Sequence, residues 1–364
     1  MSLAIQLNGA VYTSFIAARV IRSIDSLTGA FSFTSTATSS DLFPVRVGDT
    51  VVILADGIAA LTGYVERLTV DYGVDDHVIE VSGRGVLADL IDSTVKTTKE
   101  FTGGVLLESI ATAVLSDLGI ASSVINNAGT IDVYAEEDII SADVGQSAFD
   151  FLELYARKRQ VLLNEDAAGN LVLSRGTTDR SPVNIVNLKN NTGANNVKAA
   201  RLDLNYSNRY NQYVVRSQLN PVFQAIGVTP DLVADQSGTS TDTSIRSTRY
   251  IEINAEESSS STDAVSTAVW EANIRRARSL NYSATLQGHS FNGNLLYPNM
   301  LITVRDNFCD IEADLLIRSV TYNYNLDEGS TATVDCAPKD AYTLEAEQNQ
   351  RDANTTDQAE GLIL

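Results

Sequence analysis

The sequence predicts a β-rich α+β protein: two related antiparallel β-barrel domains with a small α/β domain inserted between them. Three observations predict it. Short alternating segments broken by Gly and Asp turns fill both ends of the chain. Two helical periodicities and a tight hairpin fill the middle. A strand-turn-strand pattern occurs twice, once in each β block.

The first block, residues 1–95, is read as a barrel. "GAFSFTSTA" alternates cleanly, with Phe31 and Phe33 pointing one way and Ser32 and Thr34 the other. In "DTVVILADG" and "LTGYVERLTVDYG", Val65, Leu68 and Val70 are separated by polar residues. "DDHVIEVSGRG" completes the set.

The period changes near Lys96, where the α/β domain, residues 96–180, begins. "GGVLLESIATAVLSDLGI" places Leu106, Ile110, Ala113, Val114 and Leu118 at helical spacing, and Gly119 ends the run. A second helix is expected from about Val144 to Gln160, with Phe149, Leu152, Tyr155 and Ala156 on one face. The hairpin "VLLNEDAAGNLVLSR" follows, turning at Gly169 and Asn170. Arg157, Lys158 and Arg159 read as a solvated helix C-terminus that complements the dipole.

Residues 181–343 are expected to form the second barrel. "AARLDLNYS" and "NQYVVRSQ" alternate. Pro230 to Ser247 reads as a long polar loop. "STDAVSTAVWEANIRRARSL" is a third helix, with Ser261 or Thr262 as cap and Val265, Val269 and Ile274 along it. Four more strands follow. Residues 344–364 read as an acidic, mobile tail.

The two β blocks align. "VRVGDTVVILADG…LTGYVERLTVDYG" set beside "LYPNMLITVRDN…ADLLIRSVTYNYN" puts Gly48 on Asn299, Val51 on Ile302, Ile53 on Val304, Tyr64 on Leu315 and Arg67 on Arg318. After a one-residue slip, Val70 meets Tyr322 and Tyr72 meets Tyr324. The match is one of pattern more than identity, and convergent barrel patterning is the competing explanation.

The 364 residues carry a formal net charge of -20. An acidic surface repels phosphate, which argues against sequence-reading nucleic-acid binding. It leaves open a path along which DNA slides without sticking. No apolar run is long enough to span a bilayer. The start lacks a basic n-region and a long apolar segment, so synthesis in a cytoplasm is expected. Cys309 and Cys336, the only cysteines, read as unpaired and buried. His77 and His289, the only histidines, read as lying in a strand approach and a loop.

Catalytic signatures are missing. There is no G-x-S-x-G elbow and no P-loop, and "SGRGV" at Ser82 to Val86 reads as a turn. Carboxylate counting alone does not decide against a glycosidase pair, but "AEED" at Ala135 to Asp138 reads as an exposed loop. "DQSGTSTDT" has oxygen ligands without calcium-loop spacing. No catalytic, cofactor-binding or metal-binding residue is assigned, and no cofactor is expected. This favours a structural or binding protein.

Four stretches, in order, carry a family resemblance: "RVIRSIDSLTGAFSFT", "GRGVLADLIDST", "FDFLELYARKRQVLLNEDAAGNLVLSR" and "LYPNMLITV…LLIRSVTYNYNLDEGSTATVDCAP". The chain resembles the baseplate hub proteins of Mu-like contractile-tail phages, within the late-control-D group of tail proteins. The acidic tail and the loop from Pro230 depart from that pattern. The resemblance implies a non-enzymatic homotrimer in the virion tail baseplate. It would join the tail tube to the central spike, contact other baseplate proteins and surround the DNA channel. The helix-hairpin would then serve packing and subunit contact. Two rivals stand beside it. A spike-associated cell-wall hydrolase predicts a pocket of converging carboxylates. A carbohydrate-binding virion surface protein predicts aromatics in a groove.

Overall fold

The computed structural model describes residues 3–13, 15–36, 45–73, 77–96, 100–134, 139–159, 161–175, 179–190, 192–217, 236–254 and 261–342. The "AEED" stretch, residues 230–235 and the C-terminal segment lie outside the described residues. The fold is β-rich, mostly antiparallel, with few helices. The chain divides into two compact units. The first holds Met1–Arg157, Val161–Asp203 and Leu280–Lys339, and the second is built mainly from Leu204–Ser279.

In the first unit the chain opens with seven strands: β1 (Leu3–Leu7), β2 (Ala10–Tyr12), β3 (Ala17–Ser23), β4 (Ala30–Thr36), β5 (Thr50–Ala55), β6 (Ile58–Tyr72) and β7 (His77–Gly85). Alternation works as expected in β4, where Phe31 and Phe33 are buried.

The α/β block follows. It comprises α1 (Ala88–Asp92), β8 (Glu100–Thr102), α2 (Leu107–Leu118), β9 (Val124–Asn126), β10 (Ile139–Ser141), α3 (Ala148–Lys158), β11 (Leu162–Glu165) and β12 (Leu171–Ser174). Gly119 ends α2 in the left-handed region, its N–H donating to the carbonyls of Leu115 and Ser116. The buried face of α3 is Ala148, Phe151, Leu152 and Ala156, with Phe149 and Tyr155 only partly buried beside it. The expected face is therefore rotated toward Phe151. Arg157 and Lys158 are exposed as expected, whereas Arg159 is buried. The hairpin β11–β12 gains a third, parallel strand, β9. Leu163, Leu171 and Leu173 join the helices in one core.

The remaining strands are β13 (Ile185–Asn187), β14 (Val197–Leu204), β15 (Gln212–Ser217), β16 (Gln236–Thr241) and β17 (Tyr250–Asn254), then α4 (Ser261–Arg278). After them come β18 (Leu280–Gln287), β19 (Ser290–Phe291), β20 (Asn294–Leu295), β21 (Leu301–Asp306), β22 (Ile311–Asn325) and β23 (Gly329–Ala337). The second unit is the three-stranded sheet β16-β15-β17 with α4 packed on it. Residues 236–241, expected in a loop, are strand β16. Ile274 is buried as expected, but Val265 and Val269 are each 43% exposed, and Ala264, Ala268 and Ala272 take the packing stripe. The reason is distance: a side chain on Gly238 of β16 would collide with the backbone at Ala264 and Val265, so only small residues fit there.

The large sheet of the first unit shows internal order. Its strands pair as β14-β18-β23-β22-β3-β4-β7-β6-β5-β1-β2, with β21 on β22 and β13 on β21. The run β3-β4-β7-β6-β5-β1 is thus matched, in both space and chain order, by β14-β18-β23-β22-β21-β13. The outermost pairs differ: β1–β5 is antiparallel and β13–β21 parallel. Both halves feed one core, in which Val20, Phe33, Ile53 and Leu61 join Ile302, Val304, Val320 and Tyr322.

The aligned residues behave alike. Gly48 has φ +92° and Asn299 φ +69°, a conformation that favours Gly and Asn. Gly48 N–H donates to Val65 O and Val65 N–H to Asp49 O; Asn299 N–H donates to Ile317 O and Ile317 N–H to Met300 O. β6 and β22 are both 15 residues long, and each carries a register shift, past Glu66 and past Arg318. The slip, however, falls earlier than the sequence alignment puts it. Thr50 pairs Tyr64 as Leu301 pairs Leu316, so Tyr64 matches Leu316 and Glu66 matches Arg318. A two-residue turn plus a bulge joins β5 to β6, where a four-residue turn joins β21 to β22.

Candidate functional site

The surfaces that distinguish the two halves are sheet edges. Ser319–Asn325 of β22 hydrogen-bond to β23 on one side and β3 on the other, with Val320 opposite Arg22 and Tyr322 opposite Val20. Val320 and Tyr322 are buried. The Tyr322 hydroxyl donates to Leu296 O, and burial pushes its ionisation up.

The matching part of β6 has one neighbour. Beyond Tyr64 it pairs only with β7, down to Tyr72 opposite His77. Among the described residues no strand covers its other side. Val70 is 49% exposed and Tyr72 80%. β14 occupies the place of β3 but ends the sheet, and none of its eight residues is buried. Arg67, Asp71, Lys198 and Asp203 put charge on these edges, as exposed edges require.

A second feature fixes the α/β block to the sheet. Glu165, the last residue of β11, is buried. Its carboxylate accepts hydrogen bonds from Thr28 Oγ1 at 2.6 Å, Leu87 N at 2.9 Å and Gly29 N at 3.3 Å. Burial raises its pKa, and those three donors oppose the rise. Arg22 of β3 donates to the backbone carbonyls of Glu165 and Ala60, with its guanidinium carbon 5.1 Å from the centre of the Tyr297 ring. Thr62 Oγ1 donates to Ala167 O at 2.8 Å. The hairpin therefore locks onto the sheet where β3, β4 and β7 come together.

The histidines and cysteines assemble no chemistry. His77 stacks on Tyr72 at 6.5 Å. His289 is buried between β18 and β19, its Nε2 at 2.8 Å from Asn323 O and its Nδ1 at 3.7 Å from Asp56 Oδ1. Cys336 is buried and Cys309 half-buried, both free thiols. Among the described residues no group of three or more His, Cys, Asp or Glu could hold a metal ion. A depression of about 380 Å³ on the sheet, lined by Arg19, Thr34, Thr285, Asn323, Glu328 and Thr331, contains one arginine and one glutamate. It contains no converging carboxylates. No helix among the described residues is long and apolar enough to cross a membrane.

Three family descriptions match along the chain: "Mu phage baseplate assembly protein GpP-like, N-terminal" over residues 2–85, "Baseplate hub protein gp44-like, second domain" over 87–175, and "Mu phage baseplate assembly protein GpP, fourth domain" over 260–345. The chain is 24% identical to the baseplate hub protein gp44 of Escherichia phage Mu, across 99% of this chain and 94% of that protein. Its fold is similar to the 43 kDa tail protein of prophage MuSo2 from Shewanella oneidensis, with TM-score 0.79 and 24% identity over 95% of this chain and all of the other. A tail protein of Neisseria meningitidis MC58 has TM-score 0.75 at 14% identity, over 95% of this chain and 98% of that one. By name the relatives are baseplate and tail proteins, and with the three family matches running along most of its length the chain belongs to the family of Mu-like phage baseplate hub proteins, as a structural component of the tail.

Proposed function

We propose that the chain is a homotrimeric hub that joins the tail tube to the central spike and surrounds the DNA channel. The observation that carries this is the unequal covering of equivalent strands. Each chain contains one closed seam, β22 against β3, and the two halves of a second, open one, β6 and β14. Pairing β6 of one copy with β14 of the next repeats the internal seam. Such head-to-tail pairing closes into a ring when the rotation allows it. Three copies then give six similar half-sheets, which would reconcile a six-fold tube with a three-fold spike.

Each half is read as one of two related barrel-like domains, residues 1–95 and 181–343, with the block at 96–180 between them and 344–364 as a tail. Tube, spike and other baseplate proteins are its partners in the virion tail, after synthesis in the host cytoplasm. The net charge of -20 per chain favours a conduit that repels DNA at close range, within a screening length of about 8 Å. Light scattering of the soluble chain together with a rotationally averaged image tests the reading. The expected result is three copies in a ring with six similar positions. A stable monomer or dimer at high concentration, or a lumen lined with lysine and arginine, overturns it. Incubation with peptidoglycan and chitin fragments should release no soluble sugar.

A further inference from the structure

The second unit concentrates guanidinium groups at the end where its chain enters and leaves. Asn205 N–H donates to Ser279 O at 2.8 Å and closes that end. The guanidinium of Arg209 lies 4.4 Å from the Tyr206 ring centre, and Tyr210 stands between Arg249 at 5.1 Å and Arg275 at 5.7 Å. Arg209 and Arg276 both reach buried Asp242, at 2.7 and 3.4 Å. Arg246, Arg276 and Arg278 are exposed. Asp242 and Glu271 pair with this cluster, the latter 2.8 Å from Arg275. A strongly acidic chain thus carries a cationic, tyrosine-backed surface, a composition common where proteins bind one another.

The closed seam shows which charges meet at such a place. Just after β3, Ile24 N–H donates to the carbonyl of Arg318, the bulge residue of β22, and Asp25 Oδ2 lies 3.6 Å from the Arg318 guanidinium. The matching bulge residue in β6 is Glu66, of opposite sign. Glu66 shares Arg84 with Asp92, at 2.6 and 2.5 Å, which leaves one negative charge in excess on a half-exposed cluster. The matching stretch after β14 is the start of the arginine-rich end. Tyr206 follows Leu204 by two residues and Arg209 by five, so any strand laid on β14 comes within a few residues of it.

We propose that the arginine-rich end of the second unit binds the Glu66–Asp92 carboxylates of the next copy, an ion-pair lock at the β6 bulge. This rests on the ring reading above. The lock reverses the charges of the internal seam, acid on the strand and base on the connection.

The test is a double-mutant cycle on the full chain, read as the concentration at which the assembly dissociates, at low and high salt. One side carries Arg276→Glu with Arg278→Glu, and the other Glu66→Gln with Asp92→Asn. Arg246→Glu serves as a second basic-side variant, because Arg276 also touches Asp242. Each side should raise the dissociation concentration about tenfold or more, and their combination by less than the product. High salt should shrink each effect. An assembled wild type whose variants dissociate at the same concentration, or with independent effects, overturns the lock alone. A monomeric wild type overturns the seam and the lock with it.

Discussion

Val320 and Tyr322 in β22 are buried, whereas their counterparts in β6, Leu68 and Val70, are half-buried and exposed. The two strands have the same length, matching bulges and matching hydrogen bonds at their bases. They differ in having or lacking a neighbour: β3 lies along one and nothing described lies along the other. Burial here is therefore set by pairing rather than by strand pattern. The repeated sheet covers one of its two seams within the chain, and among the described residues no strand covers the other.

Substitution at equivalent places should expose this difference. Tyr322→Ala removes a buried ring and should cost about 3–5 kcal/mol in a denaturant titration of dilute protein. Val70→Ala, at the matching place, should change the stability of the single chain by no more than about 0.5 kcal/mol. Equal costs would break the comparison.

The same contrast extends to the α/β block. Leu152 is fully buried and Lys158 exposed at the end of the same helix. Leu152→Ala should cost about 2–5 kcal/mol, and Lys158→Ala about 0–1 kcal/mol. Equal shifts in melting temperature would show that the face is assigned wrongly.

A smaller effect sharpens the description of the closed half. Burial holds the pKa of His289 below its ordinary 6.5, despite the opposing pull of Asn323 O and Asp56. The folded state therefore favours the neutral ring. Its contribution is fully present above pH 6.5 and declines as pH falls from there toward the folded value. For one proton the slope is at most about 1.4 kcal/mol per pH unit. Gln at this position keeps a donor for Asn323 O, so His289→Gln should flatten that acid-side decline in urea titrations at several pH values. An unchanged slope would assign the decline to other groups.

Much of this was legible in the chain. Alternation at Phe31 and Phe33 marked β4, the helical period and Gly119 marked α2, and Gly48 against Asn299 marked the repeat. The slip in the repeat lies earlier than the sequence pattern puts it, because a bulge and a turn trade residues and a one-strand pattern does not separate the two. The α4 face differs from the one the pattern predicts because Val outweighs Ala on any apolar scale, while the close approach over Gly238 selects for small size. Strand β16 is not legible in the sequence because "QSGTST" has no apolar alternation and owes its place to pairing with β15. The Glu165 clasp left no local signal, since Thr28, Leu87 and Arg22 are far from it in sequence.

Hydrogen exchange read strand by strand across a concentration series tests the open seam most directly. In dilute solution the outward amides of Val197–Leu204 and of β6 beyond Tyr64 should exchange quickly, while β3 and the end of β22 stay protected. As the mass rises to the assembled form, β14 and β6 should slow together, and β3 should not change. Assembly that leaves both β14 and β6 exchanging at their dilute rates would contradict the pairing of these edges.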